Sequence, residues 1–242
     1  MFKIFTLLIL ISSLLLSDEA ADIIKKVDEN MRGKNIYIEL SMKIVSQNHE
    51  RTMKMQSWSE GTKKSFVKIT YPPKERGITF LSLENEMWQY IPKIERVIKI
   101  PPSMMLQNWM GSNITNDDMV KQSSLIEDYD ARVLEKNATI ISIELLPKED
   151  AAVVWGKIIT NIDTRTYTSV RDIFYDEEGK EVREFLYENV KKIGEYYFPT
   201  YWKIQPSDKK ESFTEIHIED VQYDINISKH YFEKSALKRF SR

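Results

Sequence analysis

The chain has 242 residues, with 35 Lys and Arg against 37 Asp and Glu and a formal charge of −2. That balance argues against nucleic acid or a strongly anionic surface as the partner. With no cysteine anywhere there is no disulfide, no thiolate metal site and no lipid-modified N-terminal cysteine.

Lys3 followed by the almost unbroken apolar run Ile4 to Leu16 reads as a secretory signal peptide, too short to span a bilayer with comfort, with an uncleaved N-terminal anchor as the alternative. Residues 1–20 are assigned to it, with a poorly defined cleavage site, and residues 21–242 to a single domain. Export without cysteine and without a second apolar run predicts a soluble periplasmic protein. Asp22 to Arg32 then reads as an amphipathic helix: Ile23, Ile24, Val27 and Met31 share a face, and Gly33 supplies the stop. From Ile36 to Ile44 the period changes to two, the mark of a half-buried strand. Further strands are predicted at Arg51–Ser59, Lys64–Tyr71, Thr79–Leu83, Met87–Ile91 and Glu95–Ile100.

Pro101-Pro102 ends that series. Ser103 to Gly111 is a helix-length piece that is apolar nearly all round, and such a piece must be buried, lie on lipid or cover an apolar surface. Thr115-Asn116-Asp117-Asp118 looks like the capping start of a short helix through Val120. Strands resume at Ala131–Lys136, Ala138–Leu146, Gly156–Asp163, Ser169–Tyr175, Glu181–Asn189, Tyr197–Gln205 and Phe213–Val221. Ser228 caps a closing helix over Lys229–Phe240. The fold class is therefore mainly β: one large curled antiparallel sheet of about 11 strands, an unclosed half-barrel with helices over its concave face. The Met-rich piece becomes a candidate lid over that face.

Catalytic patterns are absent from the sequence. His49, His217 and His230 have no ligand spacing, and no phosphate loop, dinucleotide fingerprint or nucleophile elbow occurs. Asp117 and Asp118 are the acids expected in a first helical turn rather than an acid–base pair. No enzyme activity, cofactor or metal is expected. The positive signal is apolar: Met42, Met53, Met55, Trp58, Leu81, Leu83, Trp88 and Tyr90 on the early strands, and Met104, Met105, Leu106, Trp109 and Met110 in the lid. A plain core favours Leu, Ile and Val, whereas dense Met marks an adaptable binding surface. These thirteen residues are the candidate lipid-binding set. Lys93, Arg96 and Lys99 flank the lid and are candidates for meeting an acidic partner or a lipid head group.

The run Glu75-Arg76-Gly77-Ile78-Thr79-Phe80-Leu81, the run Asn85-Glu86-Met87-Trp88-Gln89-Tyr90-Ile91-Pro92, and Arg96 through Met105, with Trp109-Met110-Gly111-Ser112 and Asn116-Asp117-Asp118, carry a family resemblance. Together they resemble the outer-membrane lipoprotein-sorting proteins, more narrowly the LolA-like branch. The resemblance implies an unclosed β-barrel with a helical lid, a monomer that holds acyl chains in its hollow. It also implies a route from an inner-membrane transporter to an outer-membrane acceptor. The cargo implied is a lipoprotein, a glycolipid or a free lipid. Relatives of this kind close the lid with a strand arginine, for which Arg51, Arg76 and Arg96 are the candidates. A second reading on the same fold is a lipid-sensing module that acts on an envelope signalling partner.

Overall fold

The computed structural model describes residues 19–120, 125–151 and 153–242. The leader expectation lies almost wholly outside them. Residues 19–32 form α1, where Ala20 is fully buried and Glu19 reaches Lys136 at 2.5 Å. Gly33 ends the helix with φ +56°, its N–H donating to Glu29 O at 2.8 Å, the left-handed stop that glycine adopts without strain.

Among the described residues, thirteen antiparallel strands form one open sheet. The first six are β1 (Asn35–Ser46), β2 (His49–Glu60), β3 (Lys64–Tyr71), β4 (Thr79–Leu83), β5 (Glu86–Ile91) and β6 (Arg96–Lys99). The other seven are β7 (Tyr129–Lys136), β8 (Ile140–Pro147), β9 (Lys157–Asp163), β10 (Ser169–Tyr175), β11 (Glu181–Ile193), β12 (Tyr196–Pro206) and β13 (Phe213–Tyr223). Their spatial order is β6-β5-β4-β3-β2-β1-β13-β12-β11-β10-β9-β8-β7. The chain thus starts at the centre, walks out to one edge at β6, and re-enters at the opposite edge at β7. The connection between the two edges carries α2 (Asn116–Val120) and α3 (Leu125–Asp128), and its apolar side chains pack on the concave face.

Strict alternation divides the side chains between two faces. Met42 stands opposite Met53 and Leu40 opposite Met55, and these continue through Val67, Ile69, Phe80 and Met87 on the concave face. The second half contributes Ile204, Ile216 and Ile218 to the same cluster. Farther along, Ile141, Ile143, Leu145, Ile158 and Ile162 of β8 and β9 receive Ile23, Ile24 and Val27 of α1. The convex face of the first half has its own apolar ladder, Trp58 opposite Phe66, Phe66 opposite Leu81, and Leu81 opposite Trp88.

The C-terminal segment covers that ladder. The expected helix over Lys229–Phe240 is instead a 3-10 turn at Lys229–Phe232 and a short α4 (Ala236–Arg239), separated by Glu233 in extended backbone. Ser228 does cap the turn, accepting from His230 N–H. Ala236, Leu237, Tyr231 and Phe240 pack on the convex ladder, so this segment lies on the face opposite α1 and α2.

Candidate functional site

The segment after Pro101-Pro102 is not a helix. It makes one 3-10 turn at Pro102–Met104 and another at Trp109–Gly111, where Met110 (φ +51°) and Gly111 (φ +75°) leave helical geometry. Two of its carbonyls serve the next element: Gln107 O accepts from Asn116 N–H at 3.0 Å and Met105 O from Asp117 N–H at 2.8 Å. Two amides of the α2 N-terminus are thereby satisfied. The capping box anticipated from Thr115 is present. Asp118 Oδ2 accepts from Thr115 N–H at 2.7 Å, and Thr115 Oγ1 accepts from Asp118 N–H at 3.1 Å.

This lid ties the two halves of the sheet together. Toward the first half it inserts Trp109, 1% exposed, with its ring 5.1 Å from that of Phe80 on β4. Toward the second half Asn113 bonds Thr214 of β13, its N–H donating to Oγ1 and its Oδ1 accepting from that hydroxyl, both at 2.9 Å. Arg183 of β11 donates to Asp118 through both terminal nitrogens, at 2.7 and 2.6 Å. The guanidinium lies 4.4 Å from the ring of Trp155, 4.8 Å from Phe174 and 4.9 Å from Phe185, and its Nε has no partner. Burial pushes the Asp118 carboxyl up, but the charge of Arg183 and the bonds from Arg183 and Thr115 outweigh it and hold the group below its ordinary value.

Arg183 is thus a strand arginine bonded to the segment between the two sheet edges, whereas the three sequence candidates bond elsewhere or stand exposed. Arg51 pairs with Glu75 at 2.9 Å, Arg76 donates to Thr70 O at 3.1 Å, and Arg96 is exposed on the edge strand. A signal existed for Arg183: it stands in phase with Phe185 and Tyr187 on β11, a charge at an inward position.

Two cavities flank this arginine. The larger, about 620 Å³, opens between Leu106, Asn108 and Gly111 of the lid and Ile44, Val182 and Pro206 at the strand ends. The smaller, about 230 Å³, lies under α1 against β9–β11. Val154 and Trp155 line both; Arg183 faces the larger and its partner Asp118 the smaller.

The candidate lipid-binding residues separate into three groups. Met42, Met53, Met55 and Trp109 are buried together on the concave face, with Met105 and Met110 packed against them. Met104 and Leu106 are exposed, and Leu106 borders the larger cavity. Trp58, Leu81, Leu83, Trp88 and Tyr90 lie on the convex face under the C-terminal segment, which corrects the expectation of one shared cavity. The reason is that strands such as β4 are buried on both faces, so an unbroken apolar run does not reveal which face a given residue serves. Lys93, Arg96 and Lys99 are all exposed at or beside β6, the sheet edge, among the exposed Ile94, Val97 and Ile98. Lys99 pairs with Glu86.

The fold, one open antiparallel sheet with the segment between its two edges packed on one face, is shared with solved structures. A DUF1329 family protein from Desulfovibrio piger has TM-score 0.83 at 20% identity, over 92% of this chain and 99% of that one. A protein domain from Vibrio parahaemolyticus assigned to outer membrane lipoprotein sorting has TM-score 0.80 at 20% identity, over 92% and 100%. A LolA superfamily protein from Nitrosomonas europaea has TM-score 0.75 at 21% identity, over 90% and 98%. The chain belongs to the family whose model, described as "Uncharacterized protein", matches residues 61–239. None of the curated proteins compared with the sequence is a match.

Proposed function

We propose that this protein is a periplasmic carrier that holds acyl chains of a lipoprotein or another lipid in its lidded hollow and moves them between the inner and outer membranes. The observation that carries this reading is the lid itself. Trp109 and the Met-rich concave face close over an apolar interior, beside a cavity of about 620 Å³, within the range of small-molecule sites. Each methylene moved from water into such a hollow contributes about 0.8 kcal/mol, so chain burial supplies affinity without polar recognition. No catalytic step is needed for that task.

The basic and apolar edge around Lys93, Arg96 and Lys99 is assigned to docking, on an acidic transporter or acceptor or on lipid head groups. A leader that ended before Glu19 would keep the fully buried Ala20 in the mature chain.

The test is binding of a fluorescent fatty acid to delipidated protein, followed by transfer between donor and acceptor vesicles. Saturable binding with transfer is the expected outcome. Binding without transfer would favour the lipid-sensing module, and no saturable binding would end both readings.

A further inference from the structure

The two edges of the sheet are finished differently. At β7 two strand cations are paired, Arg132 with Glu144 at 2.7 Å and Lys136 with Glu19 at 2.5 Å. At β6 every residue from Arg96 to Lys99 is exposed. Lys93 and Arg96 have no ion pair among the described residues, and the pair of Lys99 with Glu86 is exposed, a kind that contributes little. Edge strands are ordinarily guarded by charge and by shortness, and β6 has both. It also carries what a guard omits: Ile94, Val97 and Ile98 are 52%, 48% and 39% exposed.

The register defines what can be added there. Arg96, Val97, Ile98 and Lys99 stand opposite Ile91, Tyr90, Gln89 and Trp88 of β5, and Ile100 N–H donates to Met87 O at 2.8 Å. Alternation along an antiparallel ladder then turns the N–H and C=O of Ile98 and Arg96 toward β5 and those of Val97 and Lys99 outward. The side chains alternate as well. Val97 and Lys99 share the convex face with Tyr90 and Trp88, and Arg96 and Ile98 stand on the other. Lys234 adds a cation on the convex side, 4.3 Å from the ring centre of Trp88, over which Lys99 also stands at 5.7 Å. A strand laid along this edge meets cation, apolar, apolar, cation in order. A second copy of β6 laid there antiparallel would set Arg96 against Lys99, and like charges directly opposite repel.

We propose that β6 takes up an extended segment of a partner protein as an additional antiparallel strand, the segment reading acid, apolar, apolar, acid across Lys99, Ile98, Val97 and Arg96. The proposal rests on the carrier reading and names the chemistry of the partner at its docking edge. Main-chain bonds to Val97 and Lys99 supply affinity, and the alternating side chains supply specificity. Lipid head groups would satisfy the cations alone. Apolar side chains exposed on both faces, beside outward main-chain groups, match a strand.

The experiment follows the fluorescence anisotropy of a labelled peptide with the core Glu-Val-Ile-Glu, and of its Lys-Val-Ile-Lys counterpart, titrated with the full chain. The acidic peptide is expected to bind about tenfold tighter or more. Val97→Pro deletes one outward N–H and takes no bond from the β5 ladder. It is expected to weaken the acidic peptide about tenfold while fatty-acid binding is retained. In the wild-type protein the amides of Val97 and Lys99 are expected to exchange more slowly once the peptide is bound, a readout that decides even if the variant fails to fold. Equal affinity for the two peptides, no binding of the acidic one, or unchanged exchange at both amides overturns the proposal. So does sedimentation with phosphatidylglycerol vesicles in the absence of peptide binding, which assigns the edge to head groups. Fatty-acid binding without peptide binding leaves the carrier reading standing and sinks this inference alone; peptide binding without fatty-acid binding does the reverse.

Discussion

Arg183 on β11 holds both carboxylate oxygens of Asp118 at the start of α2, Nη1 to Oδ2 at 2.7 Å and Nη2 to Oδ1 at 2.6 Å. The arginine side chain is 5% exposed and the aspartate 20%. Arg183→Met removes the cation and strands the carboxylate, which for buried pairs costs about 3–5 kcal/mol, with the partial exposure of Asp118 favouring the lower end. The loss should be local to the lid. Hydrogen exchange of residues 104–120 is expected to accelerate well before that of β1 and β2, and Asp118→Leu on top of Arg183→Met should restore much of the protection. Uniform acceleration across the sheet would show that the pair stabilises the whole fold and does not act as a latch.

Asp118 and Asp172 should move stability in opposite directions with pH. Asp118 is held below its ordinary value of 3.8 despite burial, because Arg183 and Thr115 favour its charged form. Its contribution is therefore present above the unfolded value, about 3.9, and lost as pH falls through the lower folded value. Asp172 is raised by burial, which the bonds from Thr160, Tyr187 and Ser169 only partly offset. Its contribution is full below about pH 3.9 and lost as pH rises through the higher folded value. At neutral pH, Asp172→Asn is thus expected to raise the urea midpoint and Asp118→Asn to lower it. Both differences should shrink below about pH 4, where the carboxylates protonate. A common sign for the two variants would contradict the assigned environments.

The sequence made much of this architecture legible, for an identifiable reason. Where one face of a strand is polar, as in Ile36 to Ile44, alternation marks both the strand and its inward side, and the runs from β1 to β13 stand close to their predicted places. Burial on both faces erases that information, so Leu81 and Trp88 gave no sign that they face away from Met87 and Phe80. The lid misled for a related reason. Its composition suits a helix, but its carbonyls bond to Asn116 and Asp117 across a turn that no local propensity predicts. Proximity in sequence does not reveal the Arg183–Asp118 pair, whose members are 65 positions apart. Parity alone would have found it. Arg183 and Asp172 are charged residues in phase with Phe185 and Phe174, the aromatic positions of their strands.

The convex face depends on the C-terminal segment. Tyr231 stacks on Trp58 at 4.5 Å and on Phe240 at 4.3 Å, and Thr79 Oγ1 donates to Leu237 O at 2.7 Å. Gly77, at φ +82°, allows the close approach of the chain end: a Cβ there would sit 2.3 Å from Ser241 O. Gly77→Ala is expected to cost about 1–3 kcal/mol, from left-handed backbone and displacement of the segment together. Leu237→Ala, which opens a cavity under a fully buried side chain, should cost about 2–5 kcal/mol. Denaturant unfolding checks both. If neither changes the midpoint, the segment is not part of the cooperative unit.

The assignment of function to the concave side alone can be tested with exposed positions, where stability does not confound binding. Leu106 is 59% exposed and borders the larger cavity. Leu106→Asp should therefore leave stability within about 0.5 kcal/mol, yet place a charge at the mouth of the cavity to which the carrier reading assigns an acyl chain. A fall in fatty-acid affinity of roughly fivefold or more is expected, given the cost of bringing a carboxylate against a methylene chain. Val190, 40% exposed on β11, is the matched control: Val190→Asp adds the same charge away from either cavity and should leave affinity unchanged. Trp88→Ala completes the comparison from the convex side, lowering the unfolding midpoint through lost packing on the C-terminal segment while binding persists in the folded fraction. A convex-face variant that loses affinity as steeply as Leu106→Asp would move the binding surface to the other side of the sheet, because residues separated by a single pleat cannot line the same hollow.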